Sequence, residues 1–150
     1  MANRKTKPPN FRDRIKELRR VPASELRANP KNWRVHPTAQ VAAMKGVLAE
    51  IGFANAVIAR ETPGGLELID GHLRQEIMGD QLVPVLVVDV TGAEADKLLL
   101  TLDPLASLAD ADADRLHALL EGVTFKDKAV LEMLAGLDGV VPDFQPVGVE

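Results

Sequence analysis

The stretch Leu66-Glu-Leu-Ile-Asp-Gly-His-Leu-Arg-Gln-Glu-Ile-Met78 decides the fold, because it predicts a strand that runs directly into a helix. Apolar and polar residues alternate over its first positions, which is typical of a short strand. After Gly71 the spacing becomes helical, with Leu73 and Ile77 four residues apart on one face. The other elements can be predicted outward from this junction.

The junction after Asp70 is a candidate anion-binding site. The first backbone N–H groups of a helix lack partners within the helix, and the helix dipole adds partial positive charge there. Gly71 lets the backbone approach a ligand closely, and Arg74 supplies a planar group suited to phosphate. A phosphate-bearing ligand is therefore expected, although Asp-Gly is also an ordinary turn and an arginine on a short helix is usually a solvated surface residue.

The chain length of 150 residues suits a single domain with a sizeable core. No apolar run reaches the length of a membrane span, and the N-terminus lacks the apolar segment of a signal peptide. We therefore expect a cytoplasmic protein without membrane contact. The absence of cysteine excludes disulfides, thiolate catalysis and cysteine-ligated zinc sites.

Positive charge is concentrated in the first 20 residues. They contain eight Lys or Arg and two acids, whereas the remaining 130 residues contain ten Lys or Arg and twenty acids. Such a basic arm can bind DNA by releasing counterions from phosphates, or it can be a disordered solubilising tail. Under the first interpretation the predicted DNA contacts are Arg4, Lys5, Lys7, Arg12, Arg14, Arg19 and Arg20.

Local patterns predict strands and helices in an α/β (α+β) arrangement. Thr38 is expected to cap a helix that ends before Gly52. Asp103-Pro104 is expected to end the helix that begins after Thr91. The predicted strands lie near 18–21, at the end of 53–60, at 66–69 and at 83–90, and two short helices lie near 112–120 and 126–137.

These patterns divide the chain into four regions. A basic, flexible arm over 1–17 precedes an α/β domain over 18–105, and a helical extension covers 106–138. Residues 139–150 have no periodicity and contain two prolines, which indicates a linker or a truncated tail.

Five short motifs in a fixed order carry a family resemblance. They are Val21-Pro-Ala-Ser-Glu-Leu-Arg-Ala-Asn-Pro-Lys-Asn-Trp-Arg34, Glu50-Ile-Gly-Phe53, Leu68-Ile-Asp-Gly-His-Leu-Arg74, Val83-Pro-Val-Leu-Val-Val-Asp89 and Thr91-Gly-Ala-Glu94. Over residues 18–105 the chain resembles the ParB/sulfiredoxin superfamily, in particular the ParB-like nuclease domains of phage and mobile-element proteins. The resemblance implies a small mixed sheet with flanking helices, followed here by short C-terminal helices.

The resemblance also implies a bound nucleoside triphosphate, CTP in the chromosome-partition members and ATP in others, together with Mg²⁺. In that family the glycine and arginine segment at the strand-to-helix junction wraps the phosphates. Asp70 would then orient Arg74 or a metal-bound water. The residues implied to hold the nucleotide are Asn32, Arg34, Gly71, His72 and Arg74.

The chain departs from the family pattern in two places. The partition proteins have Gly-Glu-Arg-Arg where this chain has Gly71-His-Leu-Arg74. Their later Glu-Asn-x-x-Arg motif falls on Leu102-Asp-Pro-Leu-Ala106, where only Asp103 can supply an oxygen ligand to Mg²⁺. Sulfiredoxin activity is excluded because it requires a cysteine.

Three functions remain open from the sequence. The first is a nucleotide-binding module of a DNA-acting protein, which can form a homodimer. The second is a metal-dependent nuclease or nucleotide hydrolase with Asp70 and His72 as catalytic residues and Asp103 as a metal ligand, since a histidine suits general base catalysis near neutral pH. The third is a structural or assembly module with a vestigial pocket.

Overall fold

A computed structural model describes residues 6–137 and contains the strand-to-helix junction at Gly71 that the sequence predicts. Arg4, Lys5 and the predicted tail over 139–150 lie outside the described residues. The strands are β1 (Ile15–Pro22), β2 (Val57–Thr62), β3 (Gly65–Asp70) and β4 (Leu82–Val88). The helices are α1 (Thr38–Glu50), α2 (His72–Met78), α3 (Gly92–Ser107), α4 (Ala113–Gly122) and α5 (Lys128–Ala135), with a 3-10 turn at Ala23–Glu25.

The four strands form one mixed sheet in the order β1-β4-β2-β3. β4 is antiparallel to β1 and parallel to β2, and β2 and β3 form an antiparallel hairpin. Alternation along β4 places Val83, Val85 and Val87 on one buried face, where they pack in a cluster with Val57 and Leu68. The small mixed sheet with flanking helices agrees with the predicted fold class. Among residues 6–137 no helix is long and apolar enough to cross a bilayer.

The sheet includes residues that the composition assigned to the flexible arm. β1 begins at Ile15, opposite Val88, and the carbonyl of Arg14 accepts the Asp89 N–H at 2.8 Å. The arm boundary predicted at residue 17 was therefore wrong. β1 is an edge strand, and charged side chains on an edge can stay in water, so the charged residues before Leu18 concealed where the predicted strand begins.

Helix α3 continues past Pro104 to Ser107, so the end predicted at Asp103-Pro104 was wrong. Proline removes one backbone donor from a helix but leaves its own carbonyl free to accept. The Leu108 N–H bonds to the Pro104 carbonyl at 3.2 Å, and the surrounding turn is exposed to water. The helix therefore tolerates the proline near its end.

The caps of the helices follow the sequence in part. Thr91 and Glu94 form the predicted reciprocal capping box at the start of α3. Gly52 follows α1 with φ of 99°, as expected for a glycine after a helix. Thr38 does not cap α1, because Pro37 occupies the N-cap position and no side chain completes the cap.

Helix α5 packs on α1 and belongs to the same body as the sheet. Val130 of α5 is buried, and the carboxylate of Asp127 accepts the Val130 N–H at 3.0 Å. Gly46 of α1 lies against the Asp127 carboxylate, where a Cβ would overlap it. Glu50 accepts the N–H groups of Lys126 and Asp127 at 2.6 and 2.5 Å. Residues 126–135 are thus bound to α1.

Candidate functional site

An open cleft of about 470 Å³ lies between the loop after the 3-10 turn, helix α1, the β3–α2 junction and helix α3. Its volume falls in the range of small-ligand pockets. The fold thereby brings together three segments that are far apart in the sequence. The lining includes every residue predicted for the nucleotide or its metal: Asn32, Arg34, Asp70, Gly71, His72, Arg74 and Asp103.

Gly71 is required at the junction for two reasons, its backbone conformation and its close packing against β2. Its φ is 99°, a conformation that side-chain-bearing residues rarely adopt. A Cβ at this position would overlap the Val57 side chain, with only 2.8 Å to the Val57 Cβ. The sequence predicted close approach to a ligand, whereas the structure gives a reason within the fold itself.

Arg74 is fixed from two sides. Its Nη2 lies 3.3 Å from Oδ2 of Asp70, and its guanidinium lies over the Phe53 ring at 5.9 Å from the centroid. The Arg74 side chain is only 12% exposed. The expected orientation of Arg74 by Asp70 agrees with this contact, and the ordering removes part of the entropy cost of ligand binding in advance.

Arg34 lies on another wall of the cleft. Its guanidinium stacks over Trp33 at 5.2 Å from the ring centroid, and Nε lies 3.4 Å from Oδ2 of Asp103. The Trp33 indole N–H donates to the Leu99 carbonyl of α3 at 2.9 Å. Asp103, predicted as a metal ligand, is therefore engaged by an arginine.

His72 is buried at 7% exposure, and its Nε2 accepts the backbone N–H of Asn29 at 3.1 Å. Burial, the largest influence, lowers the pKa of His72 below its usual value, which favours the neutral ring. The nitrogen lone pair that a general base would use is thus occupied. This arrangement does not support the predicted catalytic role of His72, and no local pattern predicted that Asn29 would be its partner.

A resident metal centre does not fit the acids of the cleft. No three His, Cys, Asp or Glu side chains within residues 6–137 come together in a way that could hold a metal ion. The two predicted acids, Asp70 and Asp103, each face an arginine. The predicted catalytic pair of Asp70 and His72 therefore lacks the paired metal-binding acids that a metal-dependent nuclease uses.

The apolar wall of the cleft was missed by sequence reasoning. It consists of side chains on α1 and α3 whose helical spacing predicted only core packing. In the structure these faces are shared between the core and the cleft. The wall comprises Met44, Val47, Leu48, Ile51, Leu98, Leu99 and Leu102.

Two of the predicted DNA contacts are engaged within the fold. Arg14 binds both carboxylate oxygens of Glu94, at 2.7 and 3.0 Å, and the bond holds the pKa of Glu94 down at about 2. Arg19 pairs with Glu17 and with Glu61. Their charges are paired with acids within the fold, and their assignment as phosphate contacts stays a prediction. Lys7, Arg12 and Arg20 are exposed.

Comparison with known proteins identifies the fold. No family model and no curated protein matches the sequence. The crystal structure of the C-terminally truncated chromosome-partitioning protein ParB from Caulobacter crescentus, complexed with CTP-γ-S, matches 71% of this chain with a TM-score of 0.56 and 19% identity. A Pnob8-like ParB-N domain matches 87% of it with a TM-score of 0.51 and 18% identity.

Sulfiredoxin from Arabidopsis thaliana also matches, over 55% of this chain and 97% of its own, at 16% identity and a TM-score of 0.46. The chain spans 64% of the Caulobacter ParB structure and 66% of the Pnob8-like domain. The molecule is thus a small α+β domain with an open cleft. Its fold is ParB/sulfiredoxin-like, as the sequence motifs predicted.

Proposed function

We propose that this chain is a ParB-like nucleotide-binding module. The observation that supports the proposal is the cleft itself, which joins two arginines from different walls with an apolar surface. In this arrangement Arg34 and Arg74 bind phosphate oxygens, because guanidinium groups form paired hydrogen bonds with them. The apolar side chains of α1 and α3 then contact the nucleoside.

The similarity of the fold and the two arginines of the cleft both favour a nucleoside triphosphate as the ligand. The Caulobacter ParB structure is complexed with CTP-γ-S, and we propose a ligand of the same class, CTP or ATP, for this chain. Because the cleft acids face arginines, Mg²⁺ would enter with the phosphates, a usual mode for this ion. The metal-dependent nuclease is the less favoured alternative, since His72 Nε2 already accepts a hydrogen bond.

DNA association completes the proposal. The exposed Lys7, Arg12 and Arg20, with Arg4 and Lys5 outside the described residues, would contact phosphates without reading sequence. Such a module would act in the cytoplasm, where nucleotide and DNA are both present. The homodimer and the phage or mobile-element origin remain predictions.

Calorimetric titration with CTP, ATP and GTP, each with and without Mg²⁺, tests the proposal. Saturable binding of one nucleotide is expected, with loss of binding in Arg74→Ala and in Arg34→Ala. Arg115→Ala is the matched control, because Arg115 lies on α4 with its side chain 90% exposed. Absence of binding for every nucleotide would favour a structural or assembly module with a vestigial pocket.

A further inference from the structure

The loop that carries Arg34 is held at its beginning by a buried polar residue. Asn29 is 6% exposed and makes four hydrogen bonds, one of which joins its carbonyl to the Asn32 N–H at 3.0 Å. Its backbone N–H donates to Nε2 of His72 at 3.1 Å, and its side-chain amide donates to the Leu68 carbonyl at 3.1 Å. Its Oδ1 accepts the N–H of Lys31 at 3.0 Å. Buried polar groups with partners on separate segments fix the geometry between those segments.

The same loop is held further along by α3. The Trp33 indole donates to the Leu99 carbonyl, and Lys31 Nζ lies 2.8 Å from Asp96 Oδ2. These contacts are partly exposed, whereas the bond to His72 is buried. The His72 bond therefore joins the loop to the first residue of α2, beside the bond of the Asn29 amide to Leu68 of β3.

We infer that His72 and Asn29 are positioning residues of the cleft, in which the neutral imidazole fixes the Arg34 loop against the β3–α2 junction. The expected effect on nucleotide affinity rests on the proposed function, whereas the hydrogen bond between Asn29 and His72 does not. His72 acts here through Arg34 and need not touch the ligand. A role in placing the loop also explains why a histidine without catalytic partners is buried beside the cleft.

The connection requires an unprotonated Nε2. A protonated ring has only donors, so it would oppose the Asn29 N–H. The charged and titratable groups near His72 are Asp70, Glu76 and His36, of which the two acids favour its protonation and His36 opposes it. Burial outweighs the acids, so the ring is neutral at pH 7 and loses the bond only on acidification.

Trp33 reports the state of this loop without any ligand, because it is the only tryptophan in the sequence. We expect its emission to shift to longer wavelength on acidification below pH 7, with the same midpoint as the His72 imidazole titration measured by NMR. His72→Gln should abolish the shift, since the glutamine oxygen accepts the Asn29 N–H and does not titrate. His117→Gln, on α4, is the control and should follow the wild-type curve. Far-UV circular dichroism establishes that the chain stays folded.

Nucleotide affinity provides the second measurement. His72→Leu, which keeps the bulk but removes the acceptor, should weaken binding about tenfold at pH 7, the scale of one buried hydrogen bond. His72→Gln should restore most of this loss and remove the part of the pH dependence of the affinity that follows the His72 titration. If His72→Leu does not fold, the pH profiles of Trp33 emission and nucleotide affinity in wild type and His72→Gln are sufficient to test the inference.

The outcomes separate the two proposals. Identical Trp33 curves for wild type and His72→Gln would overturn the inference. A Trp33 transition that depends on His72, in a chain that binds no nucleotide at any pH, would support the connection and overturn the nucleotide function. Binding that responds to pH equally in wild type and His72→Gln would overturn the positioning role and leave the nucleotide function standing.

Discussion

Gly71 and Val57 are packed so closely that no side chain fits between them: a Cβ on Gly71 would lie 2.8 Å from the Val57 Cβ. The glycine also has φ of 99°. The junction between β3 and α2 is therefore constrained by the core beneath it. A ligand role of Gly71 would be additional to this constraint.

Gly71→Ala should lower the free energy of unfolding by about 2–4 kcal/mol, the sum of a left-handed backbone and an overpacked core. Denaturant unfolding measures the change. Gly52→Ala is the matched control, because Gly52 has the same φ but nothing within 4 Å of its Cβ position. Equal losses in the two variants would contradict the packing against Val57.

Asp103→Asn separates the two roles considered for this acid. Without Mg²⁺ the variant should bind nucleotide about two- to fivefold more tightly, because Arg34 is released from an exposed ion pair of that strength. Asp114→Asn, an exposed aspartate on α4 outside the cleft lining, is the control. Weaker binding only in the presence of Mg²⁺ would instead indicate that Asp103 is a metal ligand.

The pair of Arg14 and Glu94 should make stability sensitive to acid. The pKa of Glu94 falls from 4.5 to about 2 in the folded chain, mainly through the bond from Arg14. Its contribution is therefore fully present above pH 4.5 and is lost as the pH falls toward 2. Glu94→Gln should be less stable than wild type at pH 6, and the difference should shrink in urea unfolding below pH 4. A constant difference across this range would argue against the ion pair.

The local features of the fold could be predicted from the sequence because they depend on neighbouring residues. The β2–β3 hairpin, the junction at Gly71 and the Thr91–Glu94 capping box each follow from a short pattern. The seven predicted cleft residues also line one cavity. The assignment of Arg34 and Arg74 to the same site came from the family resemblance and not from periodicity.

The features that sequence reasoning missed depend on distant partners. Arg14 meets Glu94 80 residues later, and Asn29 meets His72 43 residues later. No local pattern reports either contact. Pro104 shows that a local pattern can also mislead. Proline usually ends a helix, but α3 continues past Pro104 because the turn there is exposed and tolerates it.

Deleting residues 1–12 tests the basic arm without disturbing β1, which begins at Ile15. The truncated chain should bind duplex DNA more weakly, and the slope of log K against log salt should become shallower by about 0.9 for each phosphate contact removed. Fluorescence anisotropy at several salt concentrations measures both. Arg115→Ala in the full chain controls for a simple loss of charge. An unaltered slope would show that the arm is a solubilising tail.

Helix α5 should contribute to the stability of the whole domain. Val130 is 1% exposed at the contact with α1, so Val130→Ala should lower the free energy of unfolding by about 2 kcal/mol through lost burial and a residual cavity. Met133, which is 50% exposed on the same helix, provides the control, and Met133→Ala should change stability by less than about 0.5 kcal/mol. A chain that ended at residue 107 and unfolded as cooperatively as the full chain would contradict this contribution of α5. We expect instead that it is much less stable, because the buried Val130 and the contacts of Gly46 and Glu50 with residues 126–127 would be lost with α5.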